Sequence, residues 1–468
     1  MQLRENSRKL RQTQTYTLLS LAGPAILEQL LLTAATYVDT AMIGTLGATA
    51  TAAVAVNSST IFLITGLLVA VGVGYSVQVA HSLGRGDTAY AAAVSRQALV
   101  GALVIGAVFM ALLGGLSAQI PKWLGAEESI LDDAGKYLLY YSMGLPLQTC
   151  LAVFSAVLRC AGDTKTPLLF NAGANLINVI LNFLFIFPAR EVTIWGEKIH
   201  VWGAGLGVAG AAMGTALSAG IMGLSLVFII FIKKSPIQLC LGESFYPDGR
   251  IIRRAVALGL PVVLERITLS AGQLIMTRLV TSLGNLALAA NHVAVTAEGI
   301  SYLPAQGISF ASTALVGQAV GGRDPERARK YSNISGVVGA IAGCVGGLLL
   351  FCFARPLSGV FTPDPQVMAL AADMLRIVAI SEPFFGLSIV LSGVLRGTGD
   401  SRSPFFIVLL GMWGVRILMA PALLYAAGLG LSAVWIAMVA DLTVRGILCG
   451  VKVKRLDYSF VCNTRDMP

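Results

Sequence analysis

The sequence predicts an all-α polytopic membrane protein, with twelve transmembrane helices in two homologous six-helix lobes related by pseudo-twofold symmetry. Three observations carry that expectation. The chain is 56% hydrophobic and 12% charged, whereas a water-soluble domain is about a quarter charged; its mean hydropathy is +0.78. Its apolar residues fall in long runs separated by short polar punctuation. That punctuation also repeats: residues 24–167 meet a second, gapless copy when shifted by 237. Pro24 and Glu28 fall on Pro261 and Glu265, Leu46-Gly47 on Leu283-Gly284, Gly84 and Asp87 on Gly321 and Asp324, and Pro146 on Pro383. The run VLRCAGDTKTP (157–167) falls on VLRGTGDSRSP (394–404). A constant offset over so long a stretch means two homologous halves.

The apolar segments run over 16–43, 53–80, 92–120, 134–158, 166–188 and 204–232 in the first half. In the second they run over 252–283, 288–320, 331–354, 367–394, 404–427 and 431–452. Each is long enough to cross hydrocarbon as a helix. Helices are the element to expect, because unpaired backbone groups cannot face lipid. The segments divide the chain into an N-lobe (1–235), a polar inter-lobe linker (236–251) and a C-lobe (252–468). The stretch 189–205 breaks the repeat offset; alternation about Gly196, with Trp195 and Trp202 nearby, predicts a short hairpin or interfacial loop.

Charge gives the orientation. With the N-terminus inside, 23 Lys and Arg lie in inner segments, five in outer loops and five (Arg266, Arg278, Arg376, Arg416, Arg445) within apolar runs. That bias places both termini in the cytoplasm of a multi-pass protein of the cell membrane. It also accounts for the net charge of +9 without a nucleic-acid partner. The seven cysteines are scattered, with no CxxC, and read as packing residues. The polar start followed by a long apolar segment predicts no cleaved signal peptide.

Enzyme signatures are missing: the chain has no GxxxxGK[ST], HExxH or GxSxG and only three histidines, without ligand spacing. No enzyme activity and no cofactor are expected. Six acids lie well inside apolar segments: Glu28, Asp39, Glu265, Glu298, Glu382 and Asp441. An ionisable group in hydrocarbon must face a partner or a water-filled path, so about half are expected to be structural pairs. Glu28 and Asp39, eleven residues apart, project from one face of the first helix. Glu28 and Glu265 are duplicates, each four residues after a Pro that can free a carbonyl and admit water. They suit a scaffold in both lobes as well as a site in each. Asp39 has Met276 as its counterpart, which favours asymmetric ion coupling over scaffold. Asp441 has Arg445 one turn on and Arg416 on the preceding helix. Glu382 precedes Pro383 and suits a helix break or a site, while Glu298 is within reach of Arg278. Asn175, Asn178 and Asn182 form one polar stripe on the fifth segment, either helix-packing glue or cation ligands beside Asp39.

These features resemble the multidrug and toxic compound extrusion (MATE) family of transporters. The resemblance rests on PAILE and VDTAMIGTLG between Pro24 and Gly47, on the paired VLRCAGDTKTP and VLRGTGDSRSP, and on LVGQAVGGRDPERAR (315–329). It spans nearly the whole chain. It implies cation-coupled antiport of amphipathic, often cationic drugs through a cleft between lobes that opens alternately to either side. The family's N-lobe cation site would map onto Asp39, Asn178, Asn182 and Thr215. Asn182 stands where several members carry Asp, which removes one negative charge and leaves Na⁺ and H⁺ both open. The family's C-lobe acid on the seventh helix meets Glu265 only approximately.

The expectation is therefore an efflux antiporter driven by Na⁺ or H⁺ and acting as a monomer in the bilayer. Asp39 would bind the ion and Glu265 would face the cleft, with Glu28, Glu298, Glu382 and Asp441 as further cleft or second-lobe candidates. No metal is expected beyond Na⁺ at Asp39. The alternatives are a lipid-linked precursor flippase, disfavoured by six buried acids against five arginines, and a channel or receptor scaffold, disfavoured by the absence of a charged ring.

Overall fold

The computed structural model describes residues 2–194, 197–240 and 242–464. Its helices are α1 (Gln2–Gly44), α2 (Ala48–Gly84), α3 (Thr88–Gly115), short α4 (Gln119–Trp123), α5 (Glu128–Met143), α6 (Leu145–Cys160), α7 (Lys165–Ile186) and α8 (Gly207–Ile232). After a hairpin-free connection come α9 (Gly249–Thr281), α10 (Asn285–Ser301), α11 (Leu303–Gly321), α12 (Pro325–Cys352), short α13 (Ala354–Phe361), α14 (Pro365–Ala379) and α15 (Glu382–Gly397). Last are α16 (Arg402–Leu409), a π-helical stretch Leu410–Arg416, α17 (Ile417–Ala427), α18 (Leu431–Lys454) and α19 (Tyr458–Thr464).

Among the described residues nine helices are long and apolar enough to cross a membrane. Two bent pairs, α5–α6 (54°) and α14–α15 (60°), pass the same test jointly. The pair α10–α11, broken at Tyr302, completes twelve.

The expected segments 134–158, 288–320 and 367–394 are thus broken rather than continuous. Proline explains each break: Pro146, Pro304 and Pro383 occupy the first turn of α6, α11 and α15, where a missing N–H costs nothing. Pro24 and Pro261, by contrast, lie inside unbroken α1 and α9. The segment 404–427 is continuous but widens into the π turn at Leu410–Arg416.

The repeat reaches into backbone detail. Gly47 and Gly284, which precede α2 and α10, have φ of 106° and 95°, a region open chiefly to glycine. Asp163 accepts hydrogen bonds from Thr166 N (3.0 Å) and Oγ1 (2.7 Å) and an ion pair from Lys233 at 2.7 Å. Its copy Asp400 does the same with Ser403 N (3.0 Å) and Oγ (2.7 Å).

Two insertions depart from the repeat. Strands β1 (Pro188–Ile194) and β2 (Glu197–Ala204) form the expected hairpin, antiparallel with Glu191 opposite His200; Trp195 and Gly196 lie outside the described residues. Arg190 stacks over Phe183 and Phe187 at 4.2 and 4.1 Å, tying the hairpin to the end of α7. The connection between α8 and α9 is pinned to α3. Gln97 Nε2 donates to Tyr246 O at 2.6 Å, Arg96 pairs with Glu243, and Ile237 and Leu239 are buried in the adjoining core. Residues expected at the end of the linker belong to α9, which starts at Gly249 with Asp248 as its N-cap.

The two lobes meet along α1, α2, α9 and α11. Small residues permit close approach. A Cβ on Gly259 would lie 3.0 Å from the Ala70 carbonyl oxygen, one on Gly74 would lie 2.5 Å from that of Ala255, and one on Gly307 would lie 2.6 Å from Ile26. All three contacts fall in the half of the molecule nearer the termini. In the other half Tyr37 on α1 still bridges, with its ring 6.1 Å from Phe361 and its hydroxyl donating to Thr296 O at 3.4 Å.

Candidate functional site

The six membrane acids separate into two groups. Three are neutralised by arginine. Glu28, 2% exposed, accepts from Arg159 Nη1 at 2.7 and 3.0 Å and from Asn171 Nδ2 at 2.9 Å. Glu265, 6% exposed, accepts from Arg396 Nη2 at 2.8 Å on both oxygens. These are one interaction built twice, since Arg159 and Arg396 are the arginines of the repeated VLR runs. Asp441, fully buried, holds Arg445 at 2.5 and 2.6 Å and Arg416 at 3.0 Å. Glu265 therefore does not stand open to the cleft as expected; its charge is spent on α15.

Matched pairs in matched places call for matched behaviour. Glu28→Gln and Glu265→Gln are expected to lower the melting temperature of the purified protein by similar amounts, each leaving a buried arginine short of its partner. Transport per folded molecule should change little and equally in both. A selective transport loss in Glu265→Gln would contradict this assignment.

Asp39, Glu298 and Glu382 have no arginine or lysine ion pair among the described residues. Asp39 is half-buried on α1, and the residues expected around it do converge. Asn182 Nδ2 donates to Asp39 Oδ1 at 2.8 Å, with the Asn178 amide 3.3 Å away. The far side of that amide lies 3.1 Å from Thr215 Oγ1, and that hydroxyl reaches Ala211 O at 3.1 Å. The Asn178 amide atom facing the carboxylate lies 2.7 Å from Asp39 Oδ1 and 3.2 Å from Oδ2. Two bare acceptor oxygens cannot sit that close. The amide therefore turns its nitrogen to an ionised Asp39 and its oxygen to Thr215. The site is one acid faced by two amides.

Local packing builds this site. Asn182 is fully buried because Gly214 on α8 leaves room for its amide, and any Cβ there would collide with Oδ1. That Oδ1 has no hydrogen-bond partner among the described residues. Sequence reasoning missed two neighbours. Tyr137 on α5 is buried on the Asp39 side of the N-lobe. Asn171 is the second: Glu28–Asn171 and Asp39–Asn182 are parallel contacts between the same two helices. A signal for it was present, because both pairs are spaced by eleven residues.

The C-lobe carries a cavity of about 60 Å³ lined by Met276, Thr277, Asn291, Glu298, Arg416 and Trp435, among others. Met276 is the repeat position of Asp39, so the cavity is the C-lobe counterpart of the N-lobe site with its acid on a different helix. Glu298 is 4% exposed; its charged neighbours are Glu382 and Arg416. The pairing with Arg278 expected from sequence is not made, since that side chain lies exposed near the end of α9. Glu382, 1% exposed, opens α15 at the helix break and accepts from Ser301 Oγ at 3.0 Å, while its Oε1 has no partner among the described residues.

Twelve spans in two lobes, with three buried or half-buried acids that have no Arg or Lys ion pair among the described residues, are the plan of a membrane transporter. The MatE family model matches residues 24–184 and again 261–422, and the chain belongs to that family. The chain is 29% identical over 437 residues to a probable multidrug resistance protein NorM of Thermotoga maritima, covering 92% of this chain and 90% of that one. It is 26% identical over 441 residues to an uncharacterized transporter YisQ of Bacillus subtilis, covering 93% of each. Similarity to the multidrug resistance protein MdtK of Yersinia enterocolitica is 28% over 470 residues, covering 94% and 95%. Among solved structures, a MOP superfamily transporter from Pyrococcus furiosus superposes with a TM-score of 0.87 at 20% identity, covering 96% and 97%. A MATE transporter in a straight conformation gives 0.86 at 20% identity, covering 94% and 96%.

Proposed function

We propose that the chain is a secondary antiporter that exports organic cations and amphipathic drugs in exchange for a cation bound at Asp39, by alternating access between its lobes. One observation carries the reading: a half-buried carboxylate without an ion pair among the described residues, faced by the amides of Asn178 and Asn182. An ionised Asp39 is stabilised by amide N–H groups; a proton or Na⁺ calls for oxygens there instead. The same residues can therefore bind and release a cation without leaving an uncompensated charge. Asn178, Asn182 and Thr215 supply the neutral groups. The cargo class rests on the names of the relatives and on the excess of unpaired acids, Asp39, Glu298 and Glu382. Glu298 and Glu382 are assigned to the cleft side of the C-lobe.

In this reading the N-lobe is 1–235, the linker 236–251 and the C-lobe 252–468. The 23-to-5 distribution of basic residues puts both termini in the cytoplasm. The protein acts as a monomer in the cell membrane.

Na⁺ is the preferred coupling ion, because Asn182 leaves one carboxylate among neutral oxygens where a two-acid proton site would need another titratable group. The test is uptake of a fluorescent organic cation into inverted vesicles with the membrane potential clamped. An inward-negative choice of gradients is unnecessary: a Na⁺ gradient at symmetric pH should drive uptake. If a pH gradient alone drives it, H⁺ is the coupling ion; if neither does, the antiport reading fails.

A further inference from the structure

We infer that His81 and Gln318 are a repeat-related pair of latches that holds the two lobes together on the side of the termini, and that both must release when the cleft opens to that side. The inference rests on the alternating-access reading for its role, and on geometry alone for its existence.

His81 ends α2 and is fully buried, with Nε2 2.7 Å from the carbonyl oxygen of Gly397 at the end of α15. A carbonyl only accepts, so Nε2 carries the hydrogen. The other nitrogen, Nδ1, lies 3.5 Å from Nη2 of Arg254 on α9, a donor. Both contacts cross from the N-lobe to the C-lobe. Gln318, near the end of α11, makes the return contact: its Nε2 donates to Cys160 O at 2.9 Å, at the end of α6. The repeat offset carries His81 onto Gln318 and Cys160 onto Gly397. One bond is therefore made twice, with the lobes exchanged.

The backbone beneath obeys the same exchange. Gly84 abuts the Gln318 carbonyl and Gly321 abuts the His81 carbonyl, so closely that a Cβ on either glycine would collide. Those two glycines are also repeat partners. Between the latches, Ala80, Cys160 and Ala314 form a small buried cluster, none of them more than 4% exposed. No side chain in it is large enough to hold the lobes apart. Separation on this side must break both hydrogen bonds and uncover the Cys160 thiol.

Cys160 is therefore a built-in reporter. In a variant whose other six cysteines are replaced by alanine or serine, its alkylation by a maleimide in membrane vesicles reads lobe separation on the side of the termini. With a buried hydrogen bond worth about 1 kcal/mol, His81→Ala or Gln318→Ala should speed labelling about fivefold, and the double variant about thirtyfold. His81→Gln should keep near-wild-type protection, because Gln318 makes the same contact with an amide in the other lobe. A purely packing role would not be rescued by that change, since the two side chains differ in shape. Labelling of the double variant at the wild-type rate would overturn the proposal. So would His81→Gln labelling as fast as His81→Ala, an outcome that stays readable even if alanine variants fold poorly. Labelling does not depend on cargo, so a failed latch leaves the antiport reading intact, and failed transport leaves the latch.

Discussion

Asp39→Asn is expected to yield a folded, membrane-inserted protein that no longer concentrates its cargo. A tenfold gradient of one exchanged cation supplies about 1.4 kcal/mol, enough for a cargo ratio of about ten. The variant should relax to a ratio near one in inverted vesicles, while still binding the cargo. The reason is that Asn keeps the shape of Asp39 and its contact with Asn182 but removes the charge that attracts a cation. Without that charge, neither amide orientation around residue 39 is favoured by ion binding, and the gradient has nothing to act on. Gradient-driven accumulation at the wild-type ratio, at equal expression, would remove Asp39 from the coupling step.

Asp441→Ala is expected to cost the most stability. The carboxylate is fully buried and is the ion-pair partner of both Arg445 and Arg416. Its removal strands two guanidinium groups, and breaking one such buried pair costs about 3–5 kcal/mol. The measurement is the melting temperature in detergent, together with the yield of monodisperse protein. Replacing all three groups by apolar residues of similar size, as in Asp441→Leu with Arg445→Met and Arg416→Met, should recover most of the loss, because no charge is then left buried alone. An Asp441→Ala protein as stable as wild type would mean that water reaches these arginines and solvates them.

Much of this architecture could be read from residue order, for identifiable reasons. Hydrophobic length defines spans whatever their neighbours, and an offset of 237 carries any feature of one half into the other. The breaks at Gly144, Tyr302 and Ser381 were not legible, because hydropathy averages across a bend. Proline alone does not decide either: Pro146 and Pro383 start new helices, whereas α1 and α9 run through Pro24 and Pro261. Pairing of the acids divides the same way. Asp441–Arg445 is local, one helical turn, and could be anticipated. Glu28–Arg159 joins residues 131 apart, and only the packing of helices brings them together. Glu298 shows the converse error, where an arginine close in sequence lies on the exposed side of its helix.

The exchange seen at the lobe seam has a bearing on descent. When residue i of one half touches j of the other, and j of the first touches i of the second, the contact is isologous, the kind made by twofold homodimers. His81 with Gly397 and Gln318 with Cys160 satisfy that rule, as do Gly84 with Gln318 and Gly321 with His81. Each half contains six spans, so both enter the bilayer in the same sense and their axis lies along the membrane normal. A single six-helix ancestor could thus have closed this seam by pairing with itself before duplication joined the copies. Fusion then freed each copy to diverge: one kept an acid at position 39, the other placed Met276 there and took its acid from α10.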